Sequence, residues 1–285
     1  MCRSRAKKKM FWTKGVSDGP IGLIAGEGEF PLVFAQAASS LKKELIVIGV
    51  EGLTDKRVET YAAQTHYVQL GELGKVVDLL KKIKLKQAVF AGGIPKNQMV
   101  NPSFKLDDTA KGFLSASRDK GDDHLLRALE LFLKVKCGVS IVDSRSYLKD
   151  AMASKGVMTK RAPTEEEWDD LRFGYKIAKS IGSADIGQTV VVKRGVVLAV
   201  EAVEGTDQAI RRGGSLGYGS AVVVKVAKPK QDLRFDLPCV GPQTLESLKA
   251  AQSQVLGVEA GKTIFLFKER LIASADEQNM TLVGL

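Results

Sequence analysis

The fold is decided by residues 185–241, which contain two β-rich pieces. The first reads D-I-G-Q-T-V-V-V-K-R-G-V-V-L-A-V-E-A-V-E-G-T-D-Q-A-I-R-R (185–212), and the second A-V-V-V-K-V-A-K-P-K-Q-D-L-R-F-D-L-P-C-V-G (221–241). In the first piece, Thr189–Val192 and Val196–Val200 are apolar runs separated by K-R-G, so the pattern predicts a hairpin with a short turn. The β-branched start of the second piece predicts a third strand.

Acidic and basic side chains follow the ends of these predicted strands. A rigid sheet presents a polar site at its edge in this way. Each single carboxylate is more often a solvated surface residue, but their density over residues 201–236 favours a site for a divalent cation and a phosphate. The candidates are Glu201, Glu204, Thr206, Asp207, Arg211, Arg212, Lys228, Lys230, Gln231, Asp232, Arg234 and Asp236.

The chain has 285 residues and a formal net charge of +10. Its length favours two domains rather than one core. Six basic residues and no acidic residue lie in residues 1–14, so the rest carries only +4. The charge is therefore concentrated in a tail, and a basic nucleic-acid-binding stripe on the folded part is not indicated.

The sequence predicts a cytoplasmic protein. No apolar segment follows the basic residues as in a signal peptide, and no run approaches the roughly 18 apolar residues of a spanning helix. The three cysteines, Cys2, Cys137 and Cys239, are widely spaced and form no CxxC pair. Neither a zinc site nor a disulfide framework is indicated.

The first half alternates apolar strands with amphipathic helices, a pattern that predicts a parallel sheet of Rossmann type. The predicted strands are Ile21–Ala25, Leu45–Val50, His66–Leu70, Gln87–Ala91 and Val139–Val142. We therefore predict an α/β protein with three segments. These are a basic flexible tail (1–19), a Rossmann-like N-terminal domain (20–150) and a C-terminal mixed α/β catalytic domain (155–285).

Glycines follow two of these strands, as Gly26 with Gly28 and as Gly92 with Gly93. Ligands in parallel sheets bind beyond the carboxyl ends of the strands. A tight turn that needs glycine is an equal explanation for Gly26 and Gly28. The third glycine of a dinucleotide-binding motif is absent, which disfavours NAD. Pro31 begins a predicted helix whose N-terminus suits a phosphate.

The segment K-G-D-D-H at residues 120–124 opens another predicted helix. Asp122 has two possible interpretations in this segment. It is either a helix N-cap, the more common use of aspartate at such a position, or a ligand of a metal or substrate. The neighbouring Lys120 and Asp123 favour the interpretation as a ligand. The sequence alone does not decide between the two interpretations.

In the second half, Thr164 and Glu167 form a predicted capping box at the start of a helix. The glycine-rich segment Gly213–Ser220 predicts a flexible connection, and Ile264–Phe267 is expected to form a hairpin. The segment Gly257–Thr263 resembles a phosphate-binding P-loop, but it has three residues between its glycines instead of four and leads into a strand. We therefore exclude that function.

The chemistry available to the chain is limited by its histidines, since His66 and His124 are the only two. This excludes a histidine-rich two-metal phosphoesterase cage and disfavours a Ser-His-Asp hydrolase. An oxygen-ligand site remains. The residues alone thus predict metal-assisted phosphoryl or nucleotidyl chemistry between two domains.

Seven segments together resemble the LpxI-type UDP-2,3-diacylglucosamine pyrophosphatases of Gram-negative lipid A synthesis. They cover residues 20–285 in order, and those in the second half are the most specific. The chain departs from the pattern at Glu27, where glycine is usual, and in its basic tail. The segments are I-G-L-I-A-G-E-G-E-F-P (21–31), A-G-G-I-P (91–95), K-G-D-D-H-L-L-R (120–127), R-A-P-T (161–164), D-I-G-Q-T-V-V-V (185–192), V-L-A-V-E-A-V-E-G-T-D (197–207) and K-P-K-Q-D-L-R-F-D-L-P (228–238).

The resemblance implies hydrolysis of UDP-2,3-diacylglucosamine to UMP and 2,3-diacylglucosamine 1-phosphate, by attack of water on the α-phosphorus with Mg²⁺ or Mn²⁺. It places the essential aspartate of the family at Asp236. We expect metal ligands among Asp236, Asp122, Asp123 and Asp207. The expected substrate contacts are Gly26, Gly28, Lys120, Gln188, Glu204, Gly205, Thr206, Arg211, Lys228 and Gln231.

The expected partners are this glycolipid nucleotide, the inner-membrane surface in transient contact, and a second copy of the chain in a homodimer; nucleic acid is not expected. Two other functions fit the same fold. One is a non-catalytic protein that binds a nucleotide sugar or lipid, which would bind UDP-diacylglucosamine without turnover. The other is a dinucleotide-dependent oxidoreductase, which would change NADH fluorescence on binding.

Overall fold

A five-stranded parallel sheet forms the first half of the chain. The computed structural model describes residues 19–94, 105–116, 122–235 and 237–285, and for Asp122 and Asp123 it describes the backbone alone. The strand order is β3-β2-β1-β4-β5. The elements of this half are β1 (Ile21–Ala25), α1 (Phe30–Ser40), β2 (Leu45–Val50), β3 (Gln64–Val68), α2 (Leu73–Ile83), β4 (Gln87–Ala91), α3 (Asp108–Ala116), α4 (Asp122–Cys137) and β5 (Ser140–Ile141), with short 3₁₀ turns at Lys56–Tyr61, Ser144–Ser146 and Lys149–Ala151.

A mixed six-stranded sheet forms the second half, in the order β6-β13-β11-β9-β7-β8. Strands β13, β11 and β9 are parallel to one another, and β6 and β7 run antiparallel to them. The edge strand β8 runs antiparallel to β7 and thus in the same direction as β9. The elements are β6 (Gly156–Val157), α5 (Glu165–Ser183), β7 (Thr189–Lys193), β8 (Val196–Val200), α6 (Thr206–Leu216), β9 (Val222–Lys225), β10 (Cys239–Val240), α7 (Pro242–Ala250), β11 (Val255–Val258), β12 (Ile264–Phe265), α8 (Lys268–Glu277) and β13 (Thr281–Gly284). The predicted fold class, a parallel sheet followed by a mixed α/β half, is confirmed.

The hairpin of β7 and β8 forms as the sequence predicts. Arg194 and Gly195 have φ values of 49° and 72°, as a tight turn with two left-handed central residues requires. Their backbone N–H groups donate to the buried carboxylate of Asp170 on α5, at 2.8 and 2.7 Å. The predicted capping box is also present, since Thr164 and Glu167 exchange side-chain-to-backbone hydrogen bonds.

The prediction of a flexible connection at Gly213–Ser220 is wrong for its first four residues. Helix α6 runs on to Leu216, because the glycines here allow close packing instead of breaking the helix. A Cβ atom added to Gly213 would lie 2.5 Å from Cβ of Val191, and one added to Gly214 would lie 2.4 Å from Cβ of Ala251.

The predicted hairpin at Ile264–Phe267 is also wrong. Strand β12 pairs in parallel with β10, a strand some 25 residues earlier in the chain. The N–H groups of Ile264 and Leu266 donate to the carbonyl oxygens of Pro238 and Val240, at 2.8 and 2.9 Å. This small sheet lies between the two halves.

A shared hydrophobic cluster joins the halves. Ile21 and Phe34 of the first half pack in one cluster with Leu237, Ile264 and Leu266 of the second. All five side chains are buried. The relative position of the two large sheets is therefore fixed by a core and not only by a linker.

Candidate active site

A cleft of about 820 Å³ lies where the two halves meet. Gly28 and Glu29, which follow the carboxyl end of β1, line it from the first half. The remaining lining residues come from the second half and are Glu204, Gly205, Thr206, Asp207, Gln208, Lys225, Cys239, Gly241, Pro242, Gln243, Thr244, Glu246 and Leu266. A cleft between domains beside the carboxyl ends of parallel strands is a common position for a ligand site.

Three helix N-termini open on this cleft. The N-cap residues are Glu29 for α1, Gly205 for α6 and Gly241 for α7, and none of them caps its helix with a side chain. In α1 and α7 a proline occupies one of the first two positions and supplies no N–H group, so these two ends offer fewer free N–H groups than α6 does. All three ends carry the positive end of a helix dipole. Such N-termini bind phosphate groups readily, and three at one cleft suit a multiply charged anion.

The start of α6 needs a glycine at position 205. Gly205 has φ 84° and ψ 169°, a conformation that is essentially restricted to glycine. It turns the chain from β8 into α6, so that Thr206 and Asp207 follow at the cleft. The predicted substrate contacts Glu204, Gly205 and Thr206 and the predicted metal ligand Asp207 all line it.

Glu201 is a buried carboxylate behind this turn, with 8% of its surface exposed. It accepts a hydrogen bond from the Thr206 hydroxyl at 2.9 Å and one from the Gln188 backbone N–H at 3.3 Å. The Thr206 hydroxyl also lies 3.4 Å from that of Thr189. Glu201 therefore holds the first turn of α6 against the sheet.

One carboxylate oxygen in the cleft has no partner. Among the described polar atoms, Oδ1 of Asp207 is buried and makes no hydrogen bond, and the same is true of Oε1 of Gln188 behind it. An unpartnered carboxylate oxygen of a residue that lines this cleft is available to a cation or a donor group. Asp207 is thus the described carboxylate best placed to be a metal ligand.

Glu204 is held in a different way. Its carboxylate accepts a hydrogen bond from Arg212 at 2.7 Å and one from the N–H of Ala202 at 3.1 Å. The hydrogen bond from Arg212 lowers the pKa of Glu204, so the side chain is an anion at neutral pH. Arg212 also donates to the Val200 carbonyl oxygen, which fixes the turn that follows β8.

Sequence reasoning missed Lys225, which ends the central strand β9 and lines the cleft. The residue is only 7% exposed, and its ammonium donates to the Cys239 carbonyl oxygen at 2.9 Å. The signal was in the sequence, because a single lysine interrupts the apolar run A-V-V-V-K-V-A. The pattern of this run predicts a strand and no functional role for its lysine.

The structure separates the roles of the glycines that follow β1. Gly26 is a packing requirement, because an added Cβ atom would lie 2.3 Å from the Gly93 carbonyl oxygen. The backbones of Glu27 and Gly93 pair with each other at this point. Gly28 has φ 94° and lines the cleft, so it remains a candidate for substrate contact.

Four predicted substrate contacts do not line the cleft: Gln188, Arg211, Lys228 and Gln231. Lys228 forms an ion pair with Asp185 at 2.6 Å, and its backbone N–H donates to the side chain of Gln231. Arg211 lies on the exposed side of α6. Their roles stay predictions.

The remaining predicted residues lie outside the described part of the chain. These are Asp236 and Lys120, together with the side chains of Asp122 and Asp123. The residues beside Asp236 are well anchored, since Phe235 packs in the core of the first half and Leu237 in the shared cluster.

An ion-pair network holds the segment before Asp236 against α4. Arg234 forms ion pairs with Glu130 and Asp232 at 2.7 and 2.8 Å, and its guanidinium stacks on the ring of Phe235. The hydrogen bond from Arg234 lowers the pKa of Asp232. Asp232 is therefore engaged in a structural ion pair.

The described residues contain neither a metal-binding cluster nor a membrane-spanning helix. In that part of the chain, no group of three or more histidine, cysteine, aspartate or glutamate side chains could hold a metal ion. Within the same residues, no helix has both the length and the apolar content needed to cross a membrane.

The fold and the cleft define an α/β protein built from a parallel and a mixed sheet, with three helix N-termini at a cleft where its halves meet. Comparison with known families gives the "LpxI N-terminal domain" over residues 20–151 and the "LpxI C-terminal domain" over residues 154–283. The chain is 32% identical to "UDP-2,3-diacylglucosamine pyrophosphatase LpxI" of Caulobacter vibrioides, over 93% of this chain and 97% of that protein. The chain belongs to the LpxI family, and it is a hydrolase.

Weaker likenesses extend to other proteins. The "Bifunctional purine biosynthesis protein PurH" of Anoxybacillus flavithermus is 26% identical over 70% of this chain and 40% of its own length. A solved biotin carboxylase domain of a 2-oxoglutarate carboxylase is 14% identical over 60% of this chain and 34% of its own, with a TM-score of 0.24. That score is too low to support any argument about the fold.

Proposed function

We propose that this chain hydrolyses UDP-2,3-diacylglucosamine to UMP and 2,3-diacylglucosamine 1-phosphate, a step of lipid A biosynthesis. Family membership over both halves supports this substrate, as does the name of the relative from Caulobacter vibrioides. The structural observation that carries the proposal is the convergence of three uncapped helix N-termini on one cleft. A pyrophosphate group is an anion of the size and charge that this arrangement suits.

In the proposed reaction, water attacks the α-phosphorus of the substrate. A bond forms between the water oxygen and this phosphorus, and the bond from the phosphorus to the bridging oxygen breaks. The electron pair leaves with the lipid phosphate, and the proton of the attacking water passes to a base. Asp236 is the proposed base, or it holds the metal ion; both roles require its negative charge.

We propose Mg²⁺ or Mn²⁺ as the cofactor. Mg²⁺ is typically held by one or two carboxylates, with substrate phosphate oxygens and water as its other ligands. The unpartnered Oδ1 atom of Asp207 fits this donor set, and Asp236, Asp122 and Asp123 would supply further carboxylate oxygens. The metal ion, when bound, would withdraw charge from the phosphate oxygens.

The proposal is tested by incubating the purified protein with UDP-2,3-diacylglucosamine in detergent with Mg²⁺. We expect release of UMP and the lipid 1-phosphate in equal amounts. Tight binding of the substrate without turnover would instead indicate a binding protein. A change in NADH fluorescence without UMP release would indicate an oxidoreductase, although the packing of Gly26 against Gly93 already explains that glycine.

Metal dependence gives a separate prediction. EDTA should abolish turnover, and Mg²⁺ or Mn²⁺ should restore it. Zn²⁺ should restore it poorly, because the candidate ligands are carboxylate oxygens without imidazole or thiolate. The initial rate of UMP release, measured with each metal after chelation, checks this. Full activity in the exhaustively chelated protein would contradict the metal site while leaving the hydrolase function in place.

Two features of the interaction with partners stay proposals. The enzyme would take its lipid substrate during transient contact with the inner-membrane surface. It would act as a homodimer. Vesicle sedimentation and equilibrium ultracentrifugation test these two proposals separately.

A further inference from the structure

Lys225 lies in an environment where a lysine is rare. It ends β9, between β7 and β11, and its backbone pairs with Thr189 on one side and Val258 on the other. Lysine is almost never fully buried unless its charge is paired, yet only 7% of the surface of Lys225 is exposed. Its exposed part faces the cleft.

The Lys225 ammonium has three N–H donors, and one of them makes a hydrogen bond within the described part of the chain. It donates one hydrogen bond, to the carbonyl oxygen of Cys239, and no carboxylate of the described residues lies within ion-pair distance of it. A buried charge normally needs a charged partner or several hydrogen bonds. Lys179, a comparable lysine on α5, pairs with Glu259 at 2.8 Å.

The residues that surround Lys225 favour an anion as a further partner of its ammonium. The same cleft receives the N-termini of α6 and α7, at Gly205 and Gly241. An ammonium and two helix N-termini then present positive charge to one volume, and lysine binds phosphate oxygens as a point charge.

We infer that Lys225 is a catalytic residue whose ammonium binds an oxygen of the substrate pyrophosphate and stabilises the charge that develops on it during hydrolysis. The inference rests on the proposed function. The ligand class is the pyrophosphate group of a nucleoside diphosphate. Because the side chain is held at the end of a central strand, it is oriented before the substrate binds, and such preorganised charge is effective in catalysis.

A structural role makes a different prediction. If Lys225 only braced the chain at Cys239, its loss would lower stability and leave the folded protein active. If the residue serves the substrate, its charge has no carboxylate partner among the described residues of the unliganded protein, and its removal should leave stability equal or higher. Melting temperature and turnover together therefore separate the two roles.

The test compares Lys225→Met, Lys225→Gln and a matched control, Lys193→Met. The glutamine keeps a donor for the Cys239 carbonyl oxygen without the charge. Lys193 ends the neighbouring strand β7 of the same sheet and donates to the carbonyl oxygens of Gly217 and Gly219, none of which lines the cleft. Each protein is assayed for kcat, for melting temperature and for affinity towards inorganic pyrophosphate by calorimetry.

We expect both Lys225 variants to lose about 10²–10³ in kcat, the loss found when one preorganised donor to a developing anion is removed. They should bind inorganic pyrophosphate at least about tenfold more weakly and melt no lower than the original protein, whereas Lys193→Met keeps kcat and affinity. A folded Lys225 variant with unchanged kcat and pyrophosphate affinity overturns the inference. Failure of both Lys225 variants to fold also overturns it, in favour of a structural brace.

The same measurements separate this inference from the proposed function. If the original protein binds pyrophosphate through Lys225 but releases no UMP from UDP-2,3-diacylglucosamine, the proposed function fails and the anion site stands. If it releases UMP and the Lys225 variants do so at the same rate, the proposed function stands and the role of Lys225 fails.

Discussion

Glu259 shows how single residues hold the candidate site in place. Its buried carboxylate accepts hydrogen bonds from Lys179 and Lys262 at 2.8 and 2.7 Å, and from the backbone N–H of Ala227 at 3.1 Å. Burial by itself raises the pKa of Glu259, but the two lysines outweigh it, and the pKa lies below its ordinary value. The carboxylate thus anchors the start of the segment 228–235 that leads to Asp236.

Glu259→Gln should lower the free energy of unfolding by about 2–3 kcal/mol. Breaking a fully buried pair costs about 3–5 kcal/mol, and Lys179 is partly exposed. Urea unfolding measures the loss. The matched control is Glu166→Gln, because the pair of Glu166 with Arg194 is largely exposed and should contribute less than about 1 kcal/mol.

The pH dependence of this contribution has a defined sign. Since the folded pKa of Glu259 is lowered, its stabilisation is fully present above the ordinary glutamate pKa of about 4.3 and is lost as the pH falls through the folded value. The difference in stability between the original protein and Glu259→Gln should therefore shrink in acid. A difference that grows as the pH falls would contradict the ion-pair reading.

Asp236→Asn should fold normally and lose about 10²–10⁴ in turnover if Asp236 is the general base. The substitution keeps the size of the side chain and removes the charge that either proposed role requires. Turnover and melting temperature are measured together, with Asp169→Asn as the control because Asp169 lies in an exposed pair with Arg172. Near-normal turnover in Asp236→Asn would move the site towards Asp122, Glu204 and Asp207.

At the scale of one element, α6 links the sheet to the cleft. Its N-terminus presents Thr206 and Asp207 at the cleft, and its C-terminal turn packs against Val191 and Ala251 through Gly213 and Gly214. The absence of side chains at these two positions lets the helix lie close to β7 and α7. The position of the first turn of α6 at the cleft therefore depends on Gly213 and Gly214 in its last turns.

Gly213→Ala should destabilise the protein by about 1–3 kcal/mol, since the added Cβ atom would lie 2.5 Å from Cβ of Val191 and force the helix away. The better helix propensity of alanine, about 1 kcal/mol, does not offset this. The control is Gly112→Ala in α3, where an added Cβ atom has no neighbour within 4 Å and should stabilise by about 0.5–1 kcal/mol. Equal effects of the two substitutions in thermal melts would contradict close packing at Gly213.

At the scale of the whole molecule, the two halves share part of their hydrophobic core. Phe34 of α1 packs on Tyr147 with ring centroids 5.3 Å apart, in the cluster that also holds Leu237 and Ile264. The parallel pair of β10 and β12 belongs to this region. Neither half buries its apolar surface completely without the other.

We therefore expect one cooperative thermal transition, with calorimetric and van't Hoff enthalpies that agree. Ile264→Ala, which removes a fully buried side chain of the shared cluster, should lower stability by about 2–5 kcal/mol and move the single transition to lower temperature. Differential scanning calorimetry measures both. Two resolved transitions in the original protein would show that the halves unfold independently.

The sequence by itself determined the parts of this protein that depend on neighbouring residues. Apolar runs gave the strands of both halves, K-R-G gave the turn of the hairpin, and the spacing of Thr164 and Glu167 gave the capping box. It also grouped Glu204, Thr206 and Asp207, because residues that follow one strand end stay close in space. These features follow from local propensity and periodicity, which a sequence displays directly.

The tertiary structure alone decided the features that depend on contacts between distant segments. The lysine in A-V-V-V-K-V-A became significant once β9 was central and its end met the N-termini of α6 and α7. Gly213 and Gly214 belong to a helix because Val191 and Ala251 approach them, and β12 pairs with β10 instead of its neighbours in the chain. The periodicity of a sequence reflects local structure and does not indicate which distant segments pack together. The cleft between the halves therefore could not be predicted before both sheets were placed.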